Sequence, residues 1–160
     1  MRIRAWTSVC AAVLVASVGS SVATGAEQRP ATIEERATGA ERVVVASVDD
    51  VTASYESNAH GDRLIVSHAR LRVHEALKGP ADPITLDYEG GTVDGITLHV
   101  SSLPVLQRGQ RAVFFVTRGP KGELTPHLRG QGILKLDAGD RVPNSSLTLD
   151  DLRRMVGHAR

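Results

Sequence analysis

The sequence predicts a mainly β fold: a small closed barrel of five or more strands, with one short helix before it and another after it. Three observations carry that expectation. At least five short apolar or alternating runs are separated by glycine- and proline-containing breaks. Two of the runs, Val43-Val-Val-Ala46 and Ala112-Val-Phe-Phe-Val116, are continuously apolar, as strands covered on both faces are. The apolar parity also slips by one residue between Val48 and Val51, across Asp49-Asp50. A β-bulge produces such a slip and bends a strand around a small barrel.

A chain of 160 residues is the length of one domain. With 41% hydrophobic and 23% charged residues it has a globular balance, which excludes a disordered or repetitive chain. Aromatic residues make up only 3%, too few for a base-stacking platform or an aromatic sugar cleft. The single cysteine, Cys10, excludes an intramolecular disulfide framework and a cysteine-based zinc site.

The first 26 residues read as a signal peptide. Met1-Arg-Ile-Arg4 is a short basic start, and Ala5 to Ala26 carries no charge. Its apolar core, Cys10 to Ala16 with Val18, is interrupted by Ser17, Gly19, Ser20 and Ser21, too short and polar to span a bilayer comfortably. Small residues then offer cleavage after Ala26, with Ala23 as the alternative cut; an uncleaved anchor is the competing reading. Removing Arg2 and Arg4 from the 19 basic residues leaves 17 against 18 acidic ones, a net charge of −1. That balance is neither a nucleic-acid footprint nor a polybasic membrane signal.

Residues 27–160 then read as one domain. Thr32-Ile-Glu-Glu35 has the form of a capping box and opens a helix from Ile33 to about Gly39. The Val43–Ala46 strand follows, and a polar connection, Glu56 to Asp62, leads to a long second strand. There Ile65, Ala69, Leu71 and Val73 share one face, while His68, Arg70, Arg72 and His74 share the other. Lys78-Gly79-Pro80 stops it. Ile84, Leu86 and Tyr88 alternate in a third strand, and Ile96, Leu98 and Val100 in a fourth after the Gly90-Gly91 turn. Beyond a turn at Leu106–Gly109 and the Ala112–Val116 strand, Gly119-Pro-Lys-Gly122 reads as a tight connection. Short strands are expected at Leu124–Leu128 and Ile133–Leu136. Thr148 caps a terminal helix over 148–158, with Asp150 and Asp151 at the end that favours negative charge. An OB-type barrel is the form these elements favour, with an immunoglobulin-like β-sandwich as the alternative.

Three stretches also carry a resemblance. Leu71 to Gly79, ending in Leu77-Lys-Gly79, resembles a strand of the netrin-type and metalloproteinase-inhibitor-like OB domains. Arg42–Val48 is similar to their first strand, and Leu106-Gln-Arg-Gly109 with Ala112–Val116 to a later one. The resemblance implies a cysteine-free, exported bacterial variant of such domains, with an extracytoplasmic, protease-associated protein partner. Those inhibitors chelate a protease's zinc through an N-terminal cysteine held by disulfides. Here the new N-terminus would be Glu27-Gln-Arg-Pro30, so no inhibitory residue carries over.

No motif indicates an enzyme. His68 and His74 lie roughly 20 Å apart along an extended strand, and no histidine pair has ligand spacing, so no metal and no cofactor are expected. The stripe His68, Arg70, Arg72 and His74 reads as a solvated face or a surface for an acidic partner. Gly90-Gly-Thr-Val-Asp-Gly95 lacks the ending of a phosphate loop and reads as a turn. Gly90, Gly91, Asp94 and Gly95 are nonetheless the best ligand-contacting candidates. The expectation is a non-catalytic binding module exported to the periplasm or medium, with no nucleic-acid partner and no stable membrane insertion after cleavage. The competing expectations are a hydrolase or metal enzyme whose site forms only in three dimensions, and a structural subunit of an envelope assembly.

Overall fold

The computed structural model describes residues 29–57 and 61–159. The segment read as a signal peptide, with both cleavage positions, lies outside the described residues, as does His60. The elements run α1 (Ile33–Gly39), β1 (Arg42–Ser57), β2 (Arg63–Lys78), β3 (Ile84–Glu89), β4 (Gly91–Val93) and β5 (Ile96–Leu98). They continue with β6 (Arg111–Arg118), β7 (Leu124–Pro126), a single 3-10 turn at Arg129–Gly132, β8 (Ile133–Lys135) and α2 (Leu149–His158).

Five strands close into a ring in the order β1-β2-β3-β7-β6, with β6 pairing back onto β1 and β8 added to β6. Closure makes this a small OB-type barrel and not a sandwich. Every pairing in the ring is antiparallel except β3 with β7, which run parallel and meet at one residue pair, Leu86 with Leu124.

The two continuous apolar runs lie side by side, Val43–Ser47 of β1 against Arg111–Phe115 of β6. Each faces two cores. Val44, Ala46, Phe114 and Val116 point into the barrel with Leu71 and Leu86. Val43, Val45, Val113 and Phe115 point outward, beneath Ile33 and Ala37 of α1 and Leu149, Leu152 and Val156 of α2. Neither face of these strands meets water, which is why their sequence does not alternate. The β1–β2 register shifts at Val43/Val44, Val45/Ala46 and Val48/Asp50. The last shift lies where the parity slip predicted a bulge.

Both helices begin with complete capping boxes, Thr32 with Glu35 and Thr148 with Asp151. The end of α1 is closed from a distance. The Lys78 ammonium donates to the carbonyl oxygens of Ala37 and Ala40, each at 2.7 Å, and of Thr38 at 3.3 Å. A cation on otherwise unpaired carbonyls at a helix C-terminus is favourable twice, by hydrogen bonding and by the helix dipole. Gly79 follows with a φ of +77°, close to the Arg42 side chain. The Lys78-Gly79 pair therefore ties the end of β2 to α1.

The structure departs from the sequence reading around the Gly91–Leu98 hairpin and at the ends of two short strands. Ile96–Leu98 is not a ring strand: it pairs with Gly91–Val93 in a separate two-stranded hairpin. Residues 96–98 alternate because Thr92 and Thr97 share one side of that hairpin, their hydroxyls 2.8 Å apart. The short strands also end sooner than expected, β7 at Pro126 and β8 at Lys135.

Lys78→Met is expected to cost about 2 kcal/mol of stability, since hydrogen bonds to a charged group contribute about 1.5–3 kcal/mol; urea denaturation measures it. Burial, and secondarily the charge of Lys78, hold the His127 imidazole below its ordinary value. The unfolded chain therefore takes up this proton first on acidification, and stability falls as pH drops below the ordinary histidine range. His127→Gln is expected to flatten that part of the stability–pH curve. A curve unchanged by the substitution would show that His127 does not contribute.

Candidate functional site

A cavity of about 600 Å³ forms a groove on the outside of β2 and β3. It runs over the ends of both strands to β7 and the tight β6–β7 turn at Gly119–Gly122. Leu64 and Val66 of β2 give it an apolar floor, with Leu103 and Pro126 at the far side. Four carboxylates, Glu56, Asp87, Glu89 and Glu123, line it against two cations, Lys121 and Arg129. The β2–β3 face and the loops beside it are where OB barrels hold ligands.

His68 stands beside this groove and organises its polar flank. Its Nδ1 lies 2.8 Å from Asp87 Oδ1 on β3, and its Nε2 lies 3.1 Å from both Glu56 Oε1 and Ser54 Oγ on β1. One ring thus bridges three adjacent strands. Ser54, His68 and Asp87 follow one another as a nucleophile, base and orienting acid would. Two features work against that role: Nε2 is shared with Glu56, and Ser54 sits within the β1–β2 ladder opposite Val66.

The rest of the stripe is paired along the same two strands. Arg70 faces Asp50 at 3.5 Å, Arg72 faces Asp49 at 2.9 Å, and His74 Nε2 lies 2.6 Å from Ser47 Oγ. The bulge turns both Asp49 and Asp50 towards β2, although they are sequence neighbours. The stripe is therefore a row of cross-strand pairs, with its charge largely met by β1.

The four glycine-segment candidates divide into two pairs. Gly90 and Gly91 pack against the barrel and line a second, smaller cavity of about 230 Å³. The buried Ser67 hydroxyl donates to Gly90 O at 2.7 Å. A Cβ on Gly91 would stand 2.5 Å from that Ser67 oxygen and 3.0 Å from Ala53 Cβ. Tyr88 lies below, its phenol pushed up by burial, an effect partly offset by its hydrogen bonds with Ser67 and the Leu106 backbone. Asp94 and Gly95, with φ of +52° and +78°, form the exposed tip of the hairpin instead. Neither pair lines the larger groove.

The groove-lining residues Leu64, Val66, Glu89, Lys121 and Arg129 went unrecognised in the sequence. One signal was present: Leu64 and Val66 are apolar on the face that His68 and Arg70 otherwise make polar. Among the described residues no group of three or more His, Cys, Asp or Glu could hold a metal ion, and no helix is long and apolar enough to cross a membrane. The chain matches no protein-family model and no curated protein.

Substitutions separate the structural positions from the surface ones. Gly91→Ala is expected to destabilise by about 2 kcal/mol or more, since it combines a positive φ with a steric clash. Gly95→Ala, with open space around it, is expected to cost about 1 kcal/mol, the left-handed penalty alone. Arg72→Ala is expected to change stability by no more than about 0.5 kcal/mol, as exposed ion pairs do. Thermal unfolding of the three variants checks this order.

Proposed function

We propose that this protein is a non-catalytic binding module that acts outside the cytoplasm and holds a protein partner in the groove over β2 and β3. The groove itself carries this reading. It combines a mostly apolar floor with a few polar groups at its rim, the composition of sites that bind and orient a ligand. Its carboxylates outnumber its cations, which disfavours a polyanion such as nucleic acid. The basic start and uncharged apolar stretch before Glu27 support export to the periplasm or medium. The netrin-type resemblance supports a protein, protease-associated, as the partner.

A hydrolase is the second reading, and the Ser54–His68–Asp87 alignment is the observation that favours it. The two readings separate by experiment. Tagged full chain is used to capture partners from the envelope and medium of the producing cell, beside its Val66→Arg variant. Val66 is half-buried on the outer face, so the arginine fills the groove without entering the barrel. One saturable partner, retained by the wild type and lost with Val66→Arg, supports the binding module. Equal capture by both forms contradicts the groove as the site. Turnover of aryl esters that disappears in Ser54→Ala would instead establish the hydrolase.

A further inference from the structure

On the outer face of β1, β2 and β3 the groove sets carboxylates around one apolar side chain. Val66 pairs with Ser54 of β1 on one side and Glu89 of β3 on the other, and the next outward positions on those strands are Glu56 and Asp87. Val66 itself is half-buried, between Ile65 and Ser67 that turn into the barrel. An apolar floor ringed by carboxylates suits a long basic side chain, whose methylene stem covers the floor while its head meets the charge. Arg129 already supplies this chemistry at one point of the ring, 3.1 Å from Glu89 Oε2. Glu123 is met within its own turn by the Lys121 N–H at 2.8 Å, and the Lys121 ammonium donates to Ser57 O. Glu56 and Asp87 remain. Among the described residues no lysine or arginine pairs with either, and both turn to His68.

A neutral imidazole cannot serve both carboxylates, because it carries one N–H. Nδ1, 2.8 Å from Asp87 Oδ1, uses that N–H there. Nε2 is then an acceptor, filled by the Ser54 hydroxyl at 3.1 Å, and Glu56 Oε1 at 3.1 Å faces its lone pair. The imidazolium instead donates at both nitrogens and meets both carboxylates. The other charges beside the ring are matched: Arg70, next on β2, faces Asp50 of β1 at 3.5 Å, and Arg129 holds Glu89. From this geometry we infer that the groove anchors its partner by an arginine laid over Val66 with its guanidinium on Glu56, and that a proton on His68 releases it. The inference rests on the binding reading above and adds the partner's anchor and the condition for letting go. Arginine fits better than lysine, since its planar fork meets a carboxylate with two hydrogen bonds. As the pH falls through the range in which histidines take up a proton, about pH 8 to 5, Glu56 gains a cation from its own chain and the incoming one loses its counter-charge.

The test uses the full chain and two fluorescent five-residue peptides: Ala-Leu-Arg-Leu-Ala, and the same peptide with citrulline, which keeps the shape of arginine and lacks its charge. At pH 8 the arginine peptide is expected to bind about tenfold or more tighter than the citrulline peptide, and to lose about tenfold in affinity by pH 5.5. His68→Gln is expected to bind it equally at both pH values, and Glu56→Gln to bind it about tenfold more weakly at pH 8. Circular dichroism confirms that each variant folds at both pH values. Equal binding of the two peptides, an arginine-peptide affinity unchanged by pH, a pH dependence that persists in His68→Gln, or no binding of either peptide would overturn the inference. The groove reading would survive each of these results if Val66→Arg still abolished capture of the cellular partner.

Discussion

β1 is hydrogen-bonded on both of its edges, and the rest of the fold depends on that. Over Arg42–Ser47 it pairs with β6 on one side while β2 lies along the other. A strand in this position closes the ring, so the barrel has no free edge along its most apolar segment. Both faces are also buried, one by the barrel interior and the other by α1 and α2. The helices are not decoration on a finished barrel. Removing them would expose Val43, Val45, Val113 and Phe115 together. Lys78 reinforces the arrangement, because the far end of β2 holds the carbonyl end of α1.

The ring is closed, yet it is not uniform. Four of its five seams are antiparallel and extend over several residue pairs; the fifth is parallel and rests on Leu86 with Leu124. The groove lies at one end of β3, where Leu64 and Val66 bring apolar surface to the outside. The same strands carry His68, whose two ring nitrogens reach Asp87 and Glu56. A firm scaffold suits a binding site, since the groove is held in place before any ligand arrives.

The sequence disclosed the parts of this fold that follow from local pattern. Doubly covered strands show as unbroken apolar runs, a bulge shows as a change of parity at Asp49-Asp50, and each helix start shows as a threonine three residues before a carboxylate. The α1 and α2 boundaries follow from those caps. What pattern cannot carry is partnership across the chain. Ile96–Leu98 alternates as any half-exposed strand does, and nothing local tells a hairpin partner from a ring partner. Lys78 reads as a polar stop until α1 is placed beside it, 38 residues away at Ala40. The groove is less legible still: its lining comes from β1, β2, β3, β7 and three separate turns. Pro126 marks it only once β7 is known to run beside β3. The stripe from His68 to His74 shares one face, as its alternation predicts, but its pairing with Asp49, Asp50 and Ser47 depends on the register that the bulge creates.

Native-state hydrogen exchange, read amide by amide, tests the closed ring most directly. The amides of Val43 to Ser47 should be among the slowest to exchange, opening only with global unfolding, because each lies between two paired strands. Fast exchange through Val43–Ser47 would mean that β1 does not close the barrel.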